Sequence, residues 1–324
     1  VLGLKFADRT FRFTNIDLLD EGPRLTAAGA GLLPFNAKCR GQMCSAGMDV
    51  LTEALDRAFD RARIDRGEAV VVLDGRSVLR TVFPLPWDHA GDESALNEQA
   101  RWELGRRWAG SEASDELRIE GLVRGRLGDI AVVDVWGAHG EVFDGFEQVV
   151  RGVGCRVVRW DCDQWSLARI FQAYGAETDS IGLAAVAHLE AESLEIALVD
   201  PDCSVGITSL RGERSGPLGR SWDPDDPESV ALEIAWCVRG LAKRWPVVSA
   251  PVPQEISRLV FTGSVEEPER LLAALVSLLP VRVEIMELQK ILKVDESLAD
   301  SPLIQSNLGA FALCAGGALL PMVE

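Results

Sequence analysis

The chain states one order of elements twice. Its first half opens as strand, tight turn and strand over Val1 to Phe13, where Phe11 and Phe13 alternate with Arg12 and Thr14 in the period of a half-buried hairpin. Gly22-Pro23 reads as a loop. From Met48 to Ile64, Val50, Leu51, Ala54, Leu55, Ala58 and Phe59 recur at helical spacing. Then come an apolar strand at 69–73, the turn Asp74-Gly75, and a strand at 78–83 that Pro84-Leu85-Pro86 should stop, since proline has no ladder donor. A helix at 92–108 (Leu96, Ala100 and Leu104 on one face), strands at 117–123 and 130–136, a helix at 142–153, a strand at 156–160 and a helix at 164–174 complete this half. The second half starts similarly, with strands at 193–199 and 205–210 around the turn Asp200-Pro201-Asp202 and a helix at 228–244. A strand at 258–262, a helix at 269–279, a strand at 281–285 and a last helix after Pro302 follow. No sequence identity links the halves, so the repeat is one of layout. It predicts an α/β chain of two lobes, with an insertion in the first.

A length of 324 residues suits two lobes, and 47% hydrophobic with 26% charged residues is the balance of a folded chain. The formal net charge of −17 argues against nucleic acid and against anionic lipid, both of which need basic clusters; Arg101, Arg106 and Arg107 are interleaved with Glu98 and Glu103. Seven cysteines (Cys39, Cys44, Cys155, Cys162, Cys203, Cys237, Cys314) form no CxxC pair, and His89, His139 and His188 are not near one, so zinc is not indicated. They read as small buried hydrophobes in a reducing cytoplasm. No signal peptide is read at the start. The uncharged stretch from Leu308 to Val323 is glycine-rich, carries Pro321 and is too short to span a bilayer, so it reads as a buried terminal helix of a soluble protein.

Four segments, in this order, resemble the PilM proteins of bacterial type IV pilus assembly and, behind them, the cell-division protein FtsA. The opening hairpin resembles the first phosphate loop of actin-like ATPases. Val70 to Pro86 with Arg101-Trp102-Glu103 is similar to the subdomain inserted in PilM. Ile196-Ala197-Leu198-Val199-Asp200 resembles the strand entering the second phosphate loop, and Arg258 to Ser264 with Val281-Arg282-Val283-Glu284 the adenosine loop and its sequel. The resemblance covers nearly the whole chain. It implies a two-lobed actin-like (ribonuclease H-like, duplicated) fold with a PilM/FtsA-type inserted subdomain. The implied domains are a first-lobe core at 1–68 and 155–185, the insertion at 69–154, a second lobe at 186–302, and a C-terminal helix at 303–324 returning to the first lobe.

The resemblance also implies a nucleotide site between the lobes, where loop N–H groups cradle phosphates and carboxylates position Mg²⁺. Its residues would be Gly3, Lys5, Asp8 and Thr10 in the first loop, Asp200 and Asp202 in the second, and Gly263 and Ser264 in the adenosine loop. Against the family pattern Gly-x-Asp-x-Gly, Lys5 stands where the metal-positioning Asp belongs and Ala7 where the second glycine belongs. Against Asp-x-Gly, Asp202 replaces the glycine and faces anions with a carboxylate, at about 4 kcal/mol per close like-charge contact before screening. The adenosine loop keeps one glycine of a pair. These departures favour a pseudo-ATPase over a working ATPase with variant loops; ATP and Mg²⁺ stay open as cofactors. The implied role is a cytoplasmic scaffold at the inner membrane, capturing the N-terminal tail of a PilN-like single-span protein between the first-lobe core and its insertion, beside other pilus or secretion components. The cytoplasmic region of a GspL-like type II secretion protein and a sugar-kinase relative are the competitors.

Other constellations are weaker. Asp161 and Asp163 read as an acid-base dyad or, more simply, as helix N-caps. Asp223, Asp225, Asp226 and Glu228 lack EF-hand spacing and read as a solvated turn. Ser204, Ser209 and Ser215 have no histidine nearby and no GxSxG elbow.

Overall fold

The structure is a computed structural model. It describes residues 1–6, 10–32, 38–39, 42–43, 45–75, 77–107, 117–127, 129–176, 183–190, 193–199, 208–213, 223, 225–244 and 256–319. In chain order come β1 (Leu2–Phe6), β2 (Thr10–Leu19), β3 (Gly22–Leu32), the short pair β4 (Lys38–Cys39) and β5 (Gln42–Met43), and α1 (Ser45–Ala62). Next are β6 (Glu68–Leu73), β7 (Leu79–Pro86), α2 (Glu93–Arg107), β8 (Leu117–Leu127), β9 (Ile130–His139), α3 (Gly140–Gly152), β10 (Arg156–Cys162) and α4 (Asp163–Ala176). The second half holds β11 (Ala184–Glu190), β12 (Ser193–Val199), β13 (Thr208–Glu213), α5 (Pro227–Arg244), β14 (Arg258–Gly263), α6 (Pro268–Leu278) and β15 (Arg282–Ile285). It ends with β16 (Lys293–Val294), α7 (Glu296–Ala299), α8 (Pro302–Asn307) and α9 (Ala312–Ala318).

The repeat is real in the sheets. One has the order β10-β6-β1-β2-β3-β16, the other β13-β12-β11-β14-β15. In each, the central strand (β1 or β11) pairs antiparallel with the strand that follows it and parallel with the strand that follows the next long helix. Parallel pairing requires such a crossover, which α1 and α5 supply. Without β16, strand order and direction are the same in both sheets.

Alternation along β1 decides what lies on each face. Leu2, Leu4 and Phe6 pack against Leu51, Leu55 and Phe59 of α1 and Phe143 and Phe146 of α3. Phe6 stacks on Phe146 with centroids 4.8 Å apart. The opposite face meets α4 and α9, whose Leu167, Ile170, Phe171, Ala312 and Leu313 share one core with Val186 and Val260 of the second sheet. The far side of the second sheet is closed by α5 and α6. Strands β7, β9 and β8 form a separate sheet covered by Leu96, Ala100 and Leu104 of α2. Strand β6 belongs to the first main sheet, between β10 and β1, so the separate unit starts after it. The four cysteines whose side chains are described (Cys155, Cys162, Cys237, Cys314) are free and buried.

Three elements depart from the sequence reading. Gly22-Pro23 opens β3 instead of a loop, and β3 pairs with the whole of β2. Its glycines are needed as such: a Cβ on Gly29 or Gly31 would lie 2.4 or 2.3 Å from the ring of Phe13 or Phe11. Strand β7 runs on through Pro84 and Pro86, because it is an edge strand paired only with β9 and needs no donors on its outer side. The third is β11, the central strand of the second sheet, which the sequence reading leaves without an assignment.

Gly3 lies mid-strand, opposite Thr14 and Val70. A Cβ there would sit 2.1 Å from the Cys314 carbonyl oxygen, so the position is set by how closely α9 approaches β1. Gly3→Ala should therefore destabilise the chain by about 1–3 kcal/mol through overpacking. An unchanged urea unfolding midpoint would mean that α9 is not seated against β1.

Candidate functional site

The site grows from one residue that breaks an apolar strand. Lys5, on the α4/α9 face of β1, is only 3% exposed. Its ammonium forms an ion pair with the equally buried Asp163, the first residue of α4, which follows directly on β10. The other Asp163 oxygen accepts the Gly75 N–H at 3.1 Å, fixing the turn after β6. Lys5, Gly75 and Asp163 thus tie together the ends of β1, β6 and β10. The two carboxylates are engaged separately, Asp163 by Lys5 and Gly75 and Asp161 by Arg169 at 2.6 Å and by the Ser166 hydroxyl, so they do not share a proton as a dyad would.

The second sheet supplies acids to meet this end of the first. Arg12, the cross-strand neighbour of Lys5, donates from Nη1 to Glu190 Oε1 at 2.6 Å. His188, two residues back on β11, has Nε2 3.4 Å from the same oxygen. Glu195 of β12, also buried, accepts from Gln164 Nε2 at 3.0 Å. Burial opposes the Lys5 charge, but Asp163, Glu190 and Asp74 outweigh it and hold its pKa above the ordinary lysine value. Burial likewise opposes the Glu190 charge, yet Lys5, His188 and Arg12 hold that carboxyl well below the usual range. Burial pushes the His188 pKa down, helped by Lys5 and Arg12 and opposed by Glu190.

Of the residues expected from sequence, Gly3 and Lys5 share one face of β1, and Thr10 opens β2 opposite Leu32. Gly263 ends β14 with φ +117°; a Cβ would lie 2.0 Å from the Leu189 carbonyl oxygen, so only glycine fits. Ser264 donates its N–H to that oxygen at 2.9 Å, which seats this turn beside His188 and Glu190. Below it opens a pocket of about 210 Å³ lined by Thr262, Gly263, Met286, Leu288, Gln289 and Leu308. Asp8, Asp200 and Asp202 lie outside the described residues. Strand β12 does not enter the cleft on its way to Asp200: it starts there, with Ser193 opposite Glu190, and leaves it, with Val199 opposite Ala184. The hairpin equivalent to β1–β2 is β11–β12.

His188, Glu190, Glu195, Gln164 and Arg12 are absent from the sequence reading of the site. Their signal is a polar residue interrupting an apolar strand, as His188 and Glu190 do in Leu183 to Glu190. As a cradle for Mg²⁺ the described residues do not fit. Asp163 and Glu190 are each held by a cation of the chain, and no group of three potential ligands gathers among the described residues.

Removing one partner of a buried pair strands the other, so Lys5→Met should cost about 3–5 kcal/mol in urea unfolding, with Asp163→Leu restoring part of it. A loss below about 1 kcal/mol would show the pair to be solvated. Stability should also fall in acid. Folding lowers the pKa of both His188 and Glu190, so each contributes fully above its unfolded value and loses that contribution as the pH drops. The windows start near the ordinary values of 6.5 and 4.5. Lys5, raised, does not titrate there, and the facing charges are Lys5, Arg12, Asp74 and Asp163. His188→Gln should remove the part of the fall that begins near 6.5; a variant with the wild-type profile would show that folding leaves the His188 pKa unchanged.

The sequence matches no family model and no curated protein. Solved structures do match over the whole chain. A PilM–PilN type IV pilus biogenesis complex gives a TM-score of 0.75 at 17% identity, covering 100% of this chain and 98% of that one. The cytoplasmic domain of EpsL, an inner-membrane component of the Vibrio cholerae type II secretion system, gives 0.50 at 11% identity over 98% and 94%. An inorganic polyphosphate/ATP-glucomannokinase from Arthrobacter sp. strain KM gives 0.50 at 12% identity over 100% and 98%. Together with the duplicated sheets, these likenesses establish the two-lobed actin-like ATPase fold, similar in structure to PilM.

Proposed function

We propose that the chain is a scaffold component of a type IV pilus or related secretion assembly, working at the cytoplasmic side of the inner membrane. It docks the N-terminal tail of a PilN-like single-span protein and does not turn over nucleotide. The observation that carries the first part is the end-to-end likeness to a PilM solved with PilN, at a TM-score well above those of the kinase and the EpsL domain. The second part rests on the cleft: a lysine stands at the expected metal-positioning place, and it and its neighbour Arg12 are matched by carboxylates of the same chain. Among the described residues no helix is long and apolar enough to cross a membrane; in this reading the partner's tail supplies the attachment to the inner membrane.

The domain division belongs to the same proposal: a first lobe around β1, an inserted unit, a second lobe around β11, and a C-terminal helix returning to the first lobe. The inserted unit is the natural place for specificity, because it has its own core and leaves Trp87 and Trp102 partly exposed. A second reading, nucleotide binding without hydrolysis, has the pocket beside Gly263 in its favour.

Calorimetry separates these readings. The N-terminal peptide of a PilN-type protein should bind with a Kd on the order of 1 μM. Mg-ATP should give no heat. Failure of the peptide to bind would overturn the docking role; Mg-dependent ATP binding would overturn the degenerate cleft and leave the docking role standing.

A further inference from the structure

Lys5 and Arg12 are direct cross-strand partners in β1 and β2. Two like charges in that position repel, and here both are largely removed from water, with the side chains 4% and 16% exposed. Such a pair is an anion site by construction. Asp163 satisfies Lys5 from within the first lobe. Arg12 has no acid of its own lobe in contact among the described ion pairs; its carboxylate, Glu190, comes from the other sheet. Glu190 Oε1 accepts from the guanidinium of Arg12 and lies 3.4 Å from Nε2 of His188, and its side chain is 12% exposed. The end of β11 that carries it is locked in place by the Gly263–Ser264 turn on Leu189.

We propose that Glu190 is the resident anion of the cleft: a carboxylate of the chain itself occupies the place beside Arg12 and His188, next to the Lys5–Asp163 pair, and ties the second sheet to the first. This rests on the reading of the cleft as one that does not hold a metal–nucleotide complex. The group that links the sheets is a residue of the chain, tethered at the tip of β11. The site keeps its chemistry, however. Removing the Glu190 carboxylate leaves the Arg12 guanidinium and the His188 imidazole around a vacated volume, and a small oxyanion such as inorganic phosphate has the charge and acceptors to fill it.

The test is a thermal-melting series on the full chain in phosphate and in chloride at equal ionic strength. Glu190→Ala should melt below wild type in chloride, and phosphate should raise its Tm by about 3 °C or more beyond the shift it gives wild type. The comparison with wild type removes the general stabilising effect of phosphate on folded proteins. Arg12→Ala/Glu190→Ala should lose that extra response, because the guanidinium is gone. Glu190→Gln keeps the volume and blocks the site, so it should be destabilised without gaining a phosphate response. A Glu190→Ala protein no more responsive to phosphate than wild type, folded or not, overturns the proposal. So does a double variant that retains the response, or a Glu190→Gln protein as stable as wild type. None of these results bears on peptide docking, and a chain that fails to bind the PilN-type peptide can still pass this test.

Discussion

A lysine ammonium at the centre of a sheet cannot be stripped of water on its own, and the arrangement of the cleft follows from that constraint. Lys5 obliges a carboxylate to arrive on the α4 side of β1, and Asp163 is that carboxylate. Asp163 opens α4, so the pair fixes where the chain must turn from β10 into the helix. Its second oxygen takes the Gly75 N–H, which fixes the turn after β6 as well. One buried charge thereby sets three strand ends in register. The next residue of α4, Gln164, reaches Glu195, and Arg12 beside Lys5 reaches Glu190, so the same cluster extends to the second sheet.

Such contacts need backbones that approach closely, and glycines provide this at the base of the cleft. A Cβ at Gly316 would lie 2.1 Å from the Ser166 carbonyl oxygen, so α9 and α4 touch main chain to main chain there. Arg169 spans the same crossing, joining Asp161 at 2.6 Å to the Gly316 carbonyl at 3.2 Å. The segment Ala312–Ala318 is buried along its whole length. Its apolar, glycine-rich composition is explained by its place between two sheets, where small residues are required and large ones have no room.

What could be read in the sequence follows from how each element makes its contacts. Helices α1 and α5 bury one stripe and show it at helical spacing; β6 and β14 are short apolar runs between turns. Strand β3 hides because it packs through what it lacks: Gly29 and Gly31 make room for the rings of Phe13 and Phe11, which a hydrophobicity pattern does not record. Strand β11 hides because Leu183 to Leu189 is alanine-rich and fully buried, and such a run has no alternation to distinguish strand from helix. With β11 unread, β12 takes its place in the order, and the second loop shifts to Asp200 and Asp202. Lys5 was visible as an odd residue at a family position. Its partners were not, since Asp163 reaches it only when β10 and β6 are laid beside β1, and Glu190 reaches its neighbour Arg12 only when both sheets are assembled.

The two sheets share one topology and differ in charge where they meet. The first brings Lys5 and Arg12 to the cleft, the second His188, Glu190 and Glu195. In a chain of net charge −17, two cations held side by side below the surface are therefore spent on the chain's own carboxylates. Any external anion has to displace a group that is already linked to the site, and tethering gives such a group an effective concentration in the millimolar range or above. The competition is uneven for a second reason. Leaving Glu190 unpaired in a mostly buried position adds its own desolvation cost to the displacement. Duplication of one unit thus gives two surfaces that fit by shape, and different residues at a few strand-end positions make them fit by charge.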